Sequence, residues 1–479
     1  MLLRMFTVTL AFLTATFAVA EPQRWEGSVE LPGGIKLNFE VALDKDSAGW
    51  GGTISIPQQA AKDLALSDVS VGETIKFTLK VPNPGANAVW EFTPAADGKT
   101  AEGTLKQMGQ EFKSTMKALA AGEAAKGMNR PQEPNPPFPY KTEEVSIKVE
   151  KGGHSLAGVL SIPEGKGPFP GVILVSGSGP QDRDEQLLGH KPFLVLGDHL
   201  TRKGIAVLRY DDRGVGKSTG DFAAGTSDDF ADDALAAVTF LAGRPEINPK
   251  QVGIIGHSEG GLIAPMVAAA SPVPTFIVLL AGPGMPGADL LVLQGRLISE
   301  ASGAKPEDAA RNAEASRTIM QMFRDNKPDD EIRAALLKIL QAELALEPTT
   351  KDKPAEERTK LANETATQQM MTMSSPWMRR FLQIDPTVAL RKVKVPVLAL
   401  NGEKDLQVPP KENLAGIASA LKAAGNTSVT TKELPGHNHL FQTSKTGAPS
   451  EYADLEETFA PAALEAVTAW ILDLAGKGR

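Results

Sequence analysis

From Lys141 onward, apolar runs of buried-strand character alternate with segments of helical spacing, and this alternation restricts the possible folds more than any other feature of the chain. The runs are "VILVSGSG", "GIAVLRYDD", "QVGIIGHS", "TFIVLLAG" and "VPVLALNG", with a more polar last one, "TSVTTKEL". Between them lie helical patterns such as "FLVLGDHLTRK" and "FADDALAAVTFLAGR". Strands apolar on both faces and separated by helices predict a mostly parallel sheet covered on both sides. The rhythm breaks once, between "TFIVLLAG" and "VPVLALNG". That stretch is too long for a βα connection and keeps helical periodicity in "DAARNAEASRTIMQMF" and "DDEIRAALLKILQAELAL". A helical insertion is expected there, at about residues 284–390, sitting over the end of the sheet.

The first part of the chain has a different texture. Short alternating runs bounded by Gly, Pro, Asp or Asn, among them "IKLNFEVAL", "IKFTLKV" and "AVWEFTP", predict a small antiparallel β domain over residues 21–128. Prolines at 131, 134, 136, 137 and 139 then mark an extended linker over 129–140, before a second domain over 141–479. Residues 1–20, "MLLRMFTVTLAFLTATFAVA", combine Arg4, a short apolar core and Ala-Val-Ala. That pattern predicts a secretory signal cut after Ala20 and a periplasmic or secreted protein. A membrane anchor is the alternative, but the apolar stretch is short and polar residues follow at once. No second long apolar run occurs, so no stable membrane insertion is expected after cleavage.

Composition excludes several classes of function. The net charge is -8 and no basic block is present, which argues against a nucleic-acid partner. With no cysteine there can be no disulfide framework, thiol nucleophile or Cys-based zinc site. No metal-ligand spacing such as H-E-x-x-H occurs, and neither a metal nor another cofactor is expected. "DDRGVGKST" looks like a phosphate-binding loop, but its required first glycine would fall at Asp211, and two acids would repel a phosphate.

The chemistry concentrates in "GIIGHSEGGLIAP", Gly253 to Pro265. Gly256-His257-Ser258-Glu259-Gly260 fits G-x-S-x-G, with a strand before it and a helix after. A sharp strand-to-helix turn would lift the Ser258 hydroxyl above the sheet and aim the Glu259 N–H at a developing oxyanion. A serine hydroxyl needs a base. Of the six histidines, only His437 and His439, in "LPGHNHLFQ", follow the last strand, where the chain order Ser, acid, His requires the base. The acid between them is Asp405 or Glu403, at the carboxyl end of "VPVLALNG", the edge where open α/β sheets bind ligands.

Several longer stretches carry a resemblance: "FPGVILVSGSGPQDRDE", "GHKPFLVLGDHLTRKGIAVLRYDDRGVGKSTGDF", "GHSEGGLIAP", "LNGEKDLQV" and "NHLFQ". In this order they make residues 138–475 resemble the α/β-hydrolase fold, and more closely the secreted bacterial serine esterases of the EstD-like type, which have an additional N-terminal β domain. The resemblance implies Ser258 as nucleophile, Asp405 as acid, His439 as base and Ser178 as second oxyanion donor beside Glu259. The chain departs from that family at His437, a position usually apolar there. The implied function is hydrolysis of a small-molecule carboxylic ester. A serine exopeptidase or amidase and a thioesterase remain as alternatives on the same fold, as does a binding module with an inactive hydrolase domain. The insertion's Met-rich "QQMMTMSSPWMRRF" is expected to supply an apolar acyl pocket through Met371 and Trp377, with His437 contributing to substrate affinity.

Overall fold

The computed structural model describes residues 22–477 apart from 32–35, 48, 60, 82–86, 121–122, 124–128 and 347–349. The expected signal segment therefore lies outside the described residues. The rest falls into two compact units, one within segments 1–30, 37–56 and 61–127, the other within 128–479 together with 31–36 and 57–60.

The first unit is an antiparallel sheet of nine strands among the described residues, β1 (Gln23–Glu30), β2 (Lys36–Asp46), β3 (Gly49–Ile56), β4 (Ala61–Ala65), β5 (Ser67–Val71), β6 (Ile75–Leu79), β7 (Ala88–Pro94), β8 (Thr100–Gln107) and β9 (Gln110–Ala118). Their order is β4-β3-β2-β1-β9-β8-β7-β6-β5. The period-two pattern decides which face is buried: Leu37, Phe39, Val41 and Leu43 of β2 turn inward, as do Ala88, Trp90 and Phe92 of β7. Phe77 stacks on Trp90 at a centroid distance of 5.4 Å, giving this unit an aromatic core.

The second unit is an eight-stranded mixed sheet with helices on both faces. Its first strands are β10 (Lys141–Val149), β11 (His154–Ile162), β12 (Phe169–Val175) and β13 (Ala206–Tyr210). β14 (Ile247–His257), β15 (Phe276–Leu280), β16 (Val397–Gly402) and β17 (Val429–Leu434) complete it. The order is β10-β11-β13-β12-β14-β15-β16-β17, antiparallel at β10 and β11 and parallel from β13 to β17. β12 thus lies between β13 and β14, and successive crossovers leave it on opposite sides. A crevice opens at such a reversal, outside the carboxyl ends of the strands.

Helix α1 (Pro192–Arg202) lies against one face of this sheet, and α2 (Ser227–Ala242) and α3 (Glu259–Ala270) against the other. The strands feed both cores in alternation: Ile173, Ile254 and Leu279 pack toward α2 and α3, while Val172, Ile255 and Val278 pack toward α1. Among the described residues, six helices run between β15 and β16, α4 (Gly287–Ala301), α5 (Pro306–Arg324), α6 (Asp329–Leu346), α7 (Ala355–Met373), α8 (Pro376–Gln383) and α9 (Pro386–Leu390). Ile319, Phe323, Ile332, Leu336 and Leu382 give this insertion a core of its own. Helices α10 (Pro410–Ala423) and α11 (Pro461–Lys477) complete the unit.

The start of the proline-rich segment is fastened within the second unit. Arg130 donates to the carbonyls of Leu455 and Ala453, both at 2.8 Å, and the Gln132 amide donates to the Phe459 carbonyl at 2.7 Å. Among the described residues, no helix is long and apolar enough to cross a membrane.

Candidate active site

β14 ends at His257 and α3 begins at Glu259, so Ser258 alone makes the turn. Its φ of 53° and ψ of -115° lie where a residue with a Cβ stays only under restraint. The restraint is visible. The Ser258 N–H donates to the Leu280 carbonyl at 2.8 Å, and the Ser258 carbonyl accepts from the Gly261 N–H at 2.9 Å. A Cβ on Gly256 would lie 2.0 Å from the Gly260 carbonyl oxygen, and one on Gly260 would lie 2.0 Å from that of Val175. No side chain fits at either position, so both glycines follow from close packing of strand, helix and neighbouring strand.

Asp405 and His439 meet at this edge from two other loops. Asp405 is 1 % exposed and divides its oxygens between two tasks. Oδ1 accepts from the N–H groups of Gln407 (2.9 Å) and Val408 (2.8 Å), and Oδ2 lies 2.8 Å from His439 Nδ1. The turn-forming role of an aspartate and the histidine-orienting one are filled by the same side chain. The His439 loop is fixed behind the ring. Leu440 and Phe441 are buried, Phe441 stacks on Phe459 at 5.5 Å, and Asn438 Oδ1 accepts from the N–H groups of Leu440 and Gln442. Glu403 points elsewhere, accepting from the Gly436 N–H at 2.7 Å.

The loop after β12 completes the edge. The Gly177 N–H is committed to Glu185 Oε1 at 2.6 Å, so the next N–H along the loop is that of Ser178. The Glu259 side chain is buried beside it. Its Oε1 accepts from the Ser227 hydroxyl (2.6 Å) and the Trp377 indole N–H (2.8 Å). Burial pushes the Glu259 carboxyl above the usual carboxylate range, against the pull of donors Ser227, Trp377 and Ser178. Beside the nucleophile candidate stands an acid that resists ionising. Asp211 and Asp212 of the loop after β13 are structural: Arg183 pairs with Asp211 at 2.7 Å, and Asp212 accepts from Ser176 at 3.1 Å.

These elements enclose a cavity of about 230 Å³ lined by Ser178, His257, Ser258, Glu259, His439 and Trp377, with Leu290, Leu291 and Phe381 from the insertion. Among the expected residues, Ser258, His439, Ser178, Glu259 and Trp377 share this cavity, and Asp405 stands behind His439. Two expectations are corrected. Met371 is 63 % exposed, because α7 turns that face to solvent. His437 is tied back by a 2.7 Å hydrogen bond to the Pro435 carbonyl and forms no part of the wall. Sequence reasoning passed over Glu185, Gln181 and Gln407, which also line the cavity. Glu185 was within the quoted "SGSGPQDRDE" stretch, and an acid closely following a candidate oxyanion loop was the available signal. Among the described residues, no group of three or more His, Asp or Glu side chains is placed to hold a metal ion.

A strained serine between strand and helix, with a buried Asp–His pair at the same sheet edge, defines the α/β-hydrolase class. Residues 192–444, more than half of the chain, match the family described as serine aminopeptidase, S33, and the chain belongs to this family. Esterase EstD of Thermotoga maritima is 32% identical over 194 residues, which make up 40% of this chain and 44% of that relative, so the chain spans less than half of its length. Among solved structures, a Pyrococcus furiosus esterase shows 18% identity and a TM-score of 0.41, covering 73% of this chain and 100% of its own. The ferulic acid-bound Est1E of Butyrivibrio proteoclasticus shows 17% identity and a TM-score of 0.39, covering 69% and 98%.

Proposed function

We propose that this chain is an exported serine hydrolase that cleaves small carboxylic esters through an acyl-enzyme. Ser258 is the nucleophile, His439 the base and Asp405 the acid that orients it. The observation that carries this reading is the elbow: Ser258 at φ 53° faces a cavity that His439 also lines, and the other ring nitrogen of His439 is held by Asp405.

The roles follow from the geometry. Asp405 accepts at Nδ1, which keeps the proton there and leaves Nε2 as the basic nitrogen. Ser258 Oγ attacks the ester carbonyl while His439 takes its proton, and the N–H groups of Ser178 and Glu259 stabilise the oxyanion. The imidazolium then protonates the leaving alcohol. Water, deprotonated in turn by His439, releases the acid.

The cavity, about 230 Å³, is smaller than the roughly 300–1,000 Å³ of drug-sized sites, which favours short acyl groups. An aminopeptidase reading draws on the family description and on two carboxylates in the wall. Glu259 is engaged by Ser227 and Trp377, and Glu185 through one oxygen by Gly177 and His257, so a substrate amine would find only the second oxygen of Glu185. A panel of p-nitrophenyl esters from acetyl to dodecanoyl, run beside aminoacyl p-nitroanilides on protein lacking residues 1–20, tests the reading. Fastest turnover on short esters supports it; preference for the anilides replaces it with the peptidase.

A further inference from the structure

The site contains a second acid–imidazole pair that the proposed chemistry does not use. Glu185 is 4% exposed and His257 is 6% exposed. Glu185 Oε1 accepts from the Gly177 N–H at 2.6 Å and lies 2.8 Å from His257 Nδ1, while His257 Nε2 lies 3.1 Å from the carbonyl oxygen of His439. A carbonyl oxygen only accepts, so Nε2 must carry a hydrogen. Nδ1 faces a carboxylate oxygen that already accepts one backbone N–H, and a proton on Nδ1 gives that oxygen a second donor. His257 is then an imidazolium, with its ring centroid 4.9 Å from that of His439. Burial opposes that charge, but Glu185, the His439 carbonyl and Asp405 together outweigh it, and His257 titrates above the ordinary imidazole value.

The pair is held against local preference. Glu185 has a φ of 50°, and its Oε2 is buried without a hydrogen-bond partner. The Glu185 carboxylate is therefore fastened through one oxygen only, to the loop carrying Ser178 on one side and to the serine turn on the other.

We propose that His257, kept charged by Glu185, is a positioning residue for the base: its Nε2–H fixes the His439 carbonyl, and its charge disfavours a second proton on the His439 ring. The proposal rests on His439 being the base. The other groups around the two rings are Asp405 after β16, Glu259 at the start of α3 and Tyr452 in the segment after the His439 loop. Burial keeps Glu259 and Tyr452 toward their neutral forms. Asp405 faces the His439 ring at 2.8 Å on one side, and His257 stands against it at a centroid distance of 4.9 Å on the other. A base held too protonated would work only at higher pH.

The test is the pH dependence of kcat/KM on p-nitrophenyl butyrate for the unsubstituted protein and His257→Gln. Glutamine keeps an amide N–H for the His439 carbonyl and removes the charge. The acid limb should move up by about half to one pH unit, the effect of losing one like charge beside His439, with KM changed less than about twofold. A limb that stays or moves down overturns the proposal, even if the rate falls, because a purely structural role would lower the plateau without shifting the limb. A second measurement does not depend on that variant folding. In ¹⁵N-histidine spectra of His154→Gln combined with His439→Ala, which lacks the two other buried His–carboxylate pairs (His154–Asp233, 2.9 Å, and His439–Asp405, 2.8 Å), one ring should stay protonated on both nitrogens to a higher pH than an ordinary imidazole. None remaining so overturns the proposal. His439→Ala, run in parallel, separates the two readings: if it retains turnover, the base assignment itself has failed.

Discussion

The indole N–H of Trp377 donates to Oε1 of Glu259 at 2.8 Å and so fastens the helical insertion to the residue that follows Ser258. The Trp377 ring also stacks on Phe381 at 5.6 Å, and both line the cavity. The insertion is therefore tied to the turn on which the proposed chemistry depends. Trp377→Phe keeps the stack and removes the donor. Leaving a buried carboxyl short of a partner costs about 1–3 kcal/mol. The variant should show a lower thermal midpoint and a raised KM for butyryl esters, with a smaller change in kcat. Unchanged stability and KM would separate the insertion from substrate binding.

Asp405→Asn tests the acid with the fold intact. Asparagine Oδ1 can still accept from Gln407 and Val408, so the turn survives. Its amide N–H₂ would face His439 Nδ1, move the ring proton to Nε2 and leave Ser258 without a base. Turnover should fall by roughly 10⁴-fold, the loss typical of a wrong tautomer in such a triad. Circular dichroism and thermal midpoint should stay close to those of the unsubstituted protein. Glu403→Gln should retain near-normal turnover, since the Glu403 carboxylate accepts from the Gly436 N–H, away from the cavity.

Gly260→Ala and Gly295→Ala separate packing from helix propensity. At Gly260 a Cβ meets the Val175 carbonyl at 2.0 Å, and nothing but backbone movement relieves it. Urea unfolding should show a loss of more than about 3 kcal/mol. At Gly295, within α4, an added Cβ would point into open space, and alanine should stabilise by about 0.5–1 kcal/mol. Equal effects at the two sites would contradict the packing account.

His190 gives the fold a sensitivity to acid. Its Nε2–H donates to the Tyr452 carbonyl at 2.8 Å, and Nδ1 accepts from the Thr458 hydroxyl at 2.9 Å, so the ring is held neutral. Burial, helped by the charge of Arg130, brings its pKa from 6.5 to about 4. The folded value lies below the unfolded one. The stabilisation is complete above pH 6.5 and is lost as pH falls toward 4, up to about 3 kcal/mol. Urea midpoints should decline across that window. In His190→Gln the starting stability should be lower and the decline shallower; an equally steep decline would assign the effect to carboxylates instead.

The architecture of the second unit was legible because a two-sided parallel sheet writes itself as apolar runs, and because the serine turn needs glycines where packing leaves no room for a Cβ. Asp405 and His439 were legible for a different reason: chain order and a strand's carboxyl end left two candidates for each. What remained hidden depends on tertiary approach. Glu185 meets His257 only because the loop after β12 folds back over the end of β14, 72 residues away in sequence. The Met-rich stretch marks the right part of the insertion, but Trp377 lines the cavity and Met371 does not. α7 ends at Met373 and α8 begins at Pro376, so Trp377 faces the cavity while Met371 faces solvent. Composition marks such a segment; only the packed helices decide which face is the wall.

In the proposed mechanism Ser258 carries the acyl group. Protein mixed with excess p-nitrophenyl butyrate and quenched in acid within the first turnovers can be digested and the peptide containing Gly253 to Pro265 weighed. A butyryl mass increment should appear on Ser258, with a p-nitrophenol burst of about one per chain, and both should be lost in a folded Ser258→Ala variant. An alanine variant that still hydrolyses the ester at near-normal rate, or an acyl group found on another residue, would contradict it.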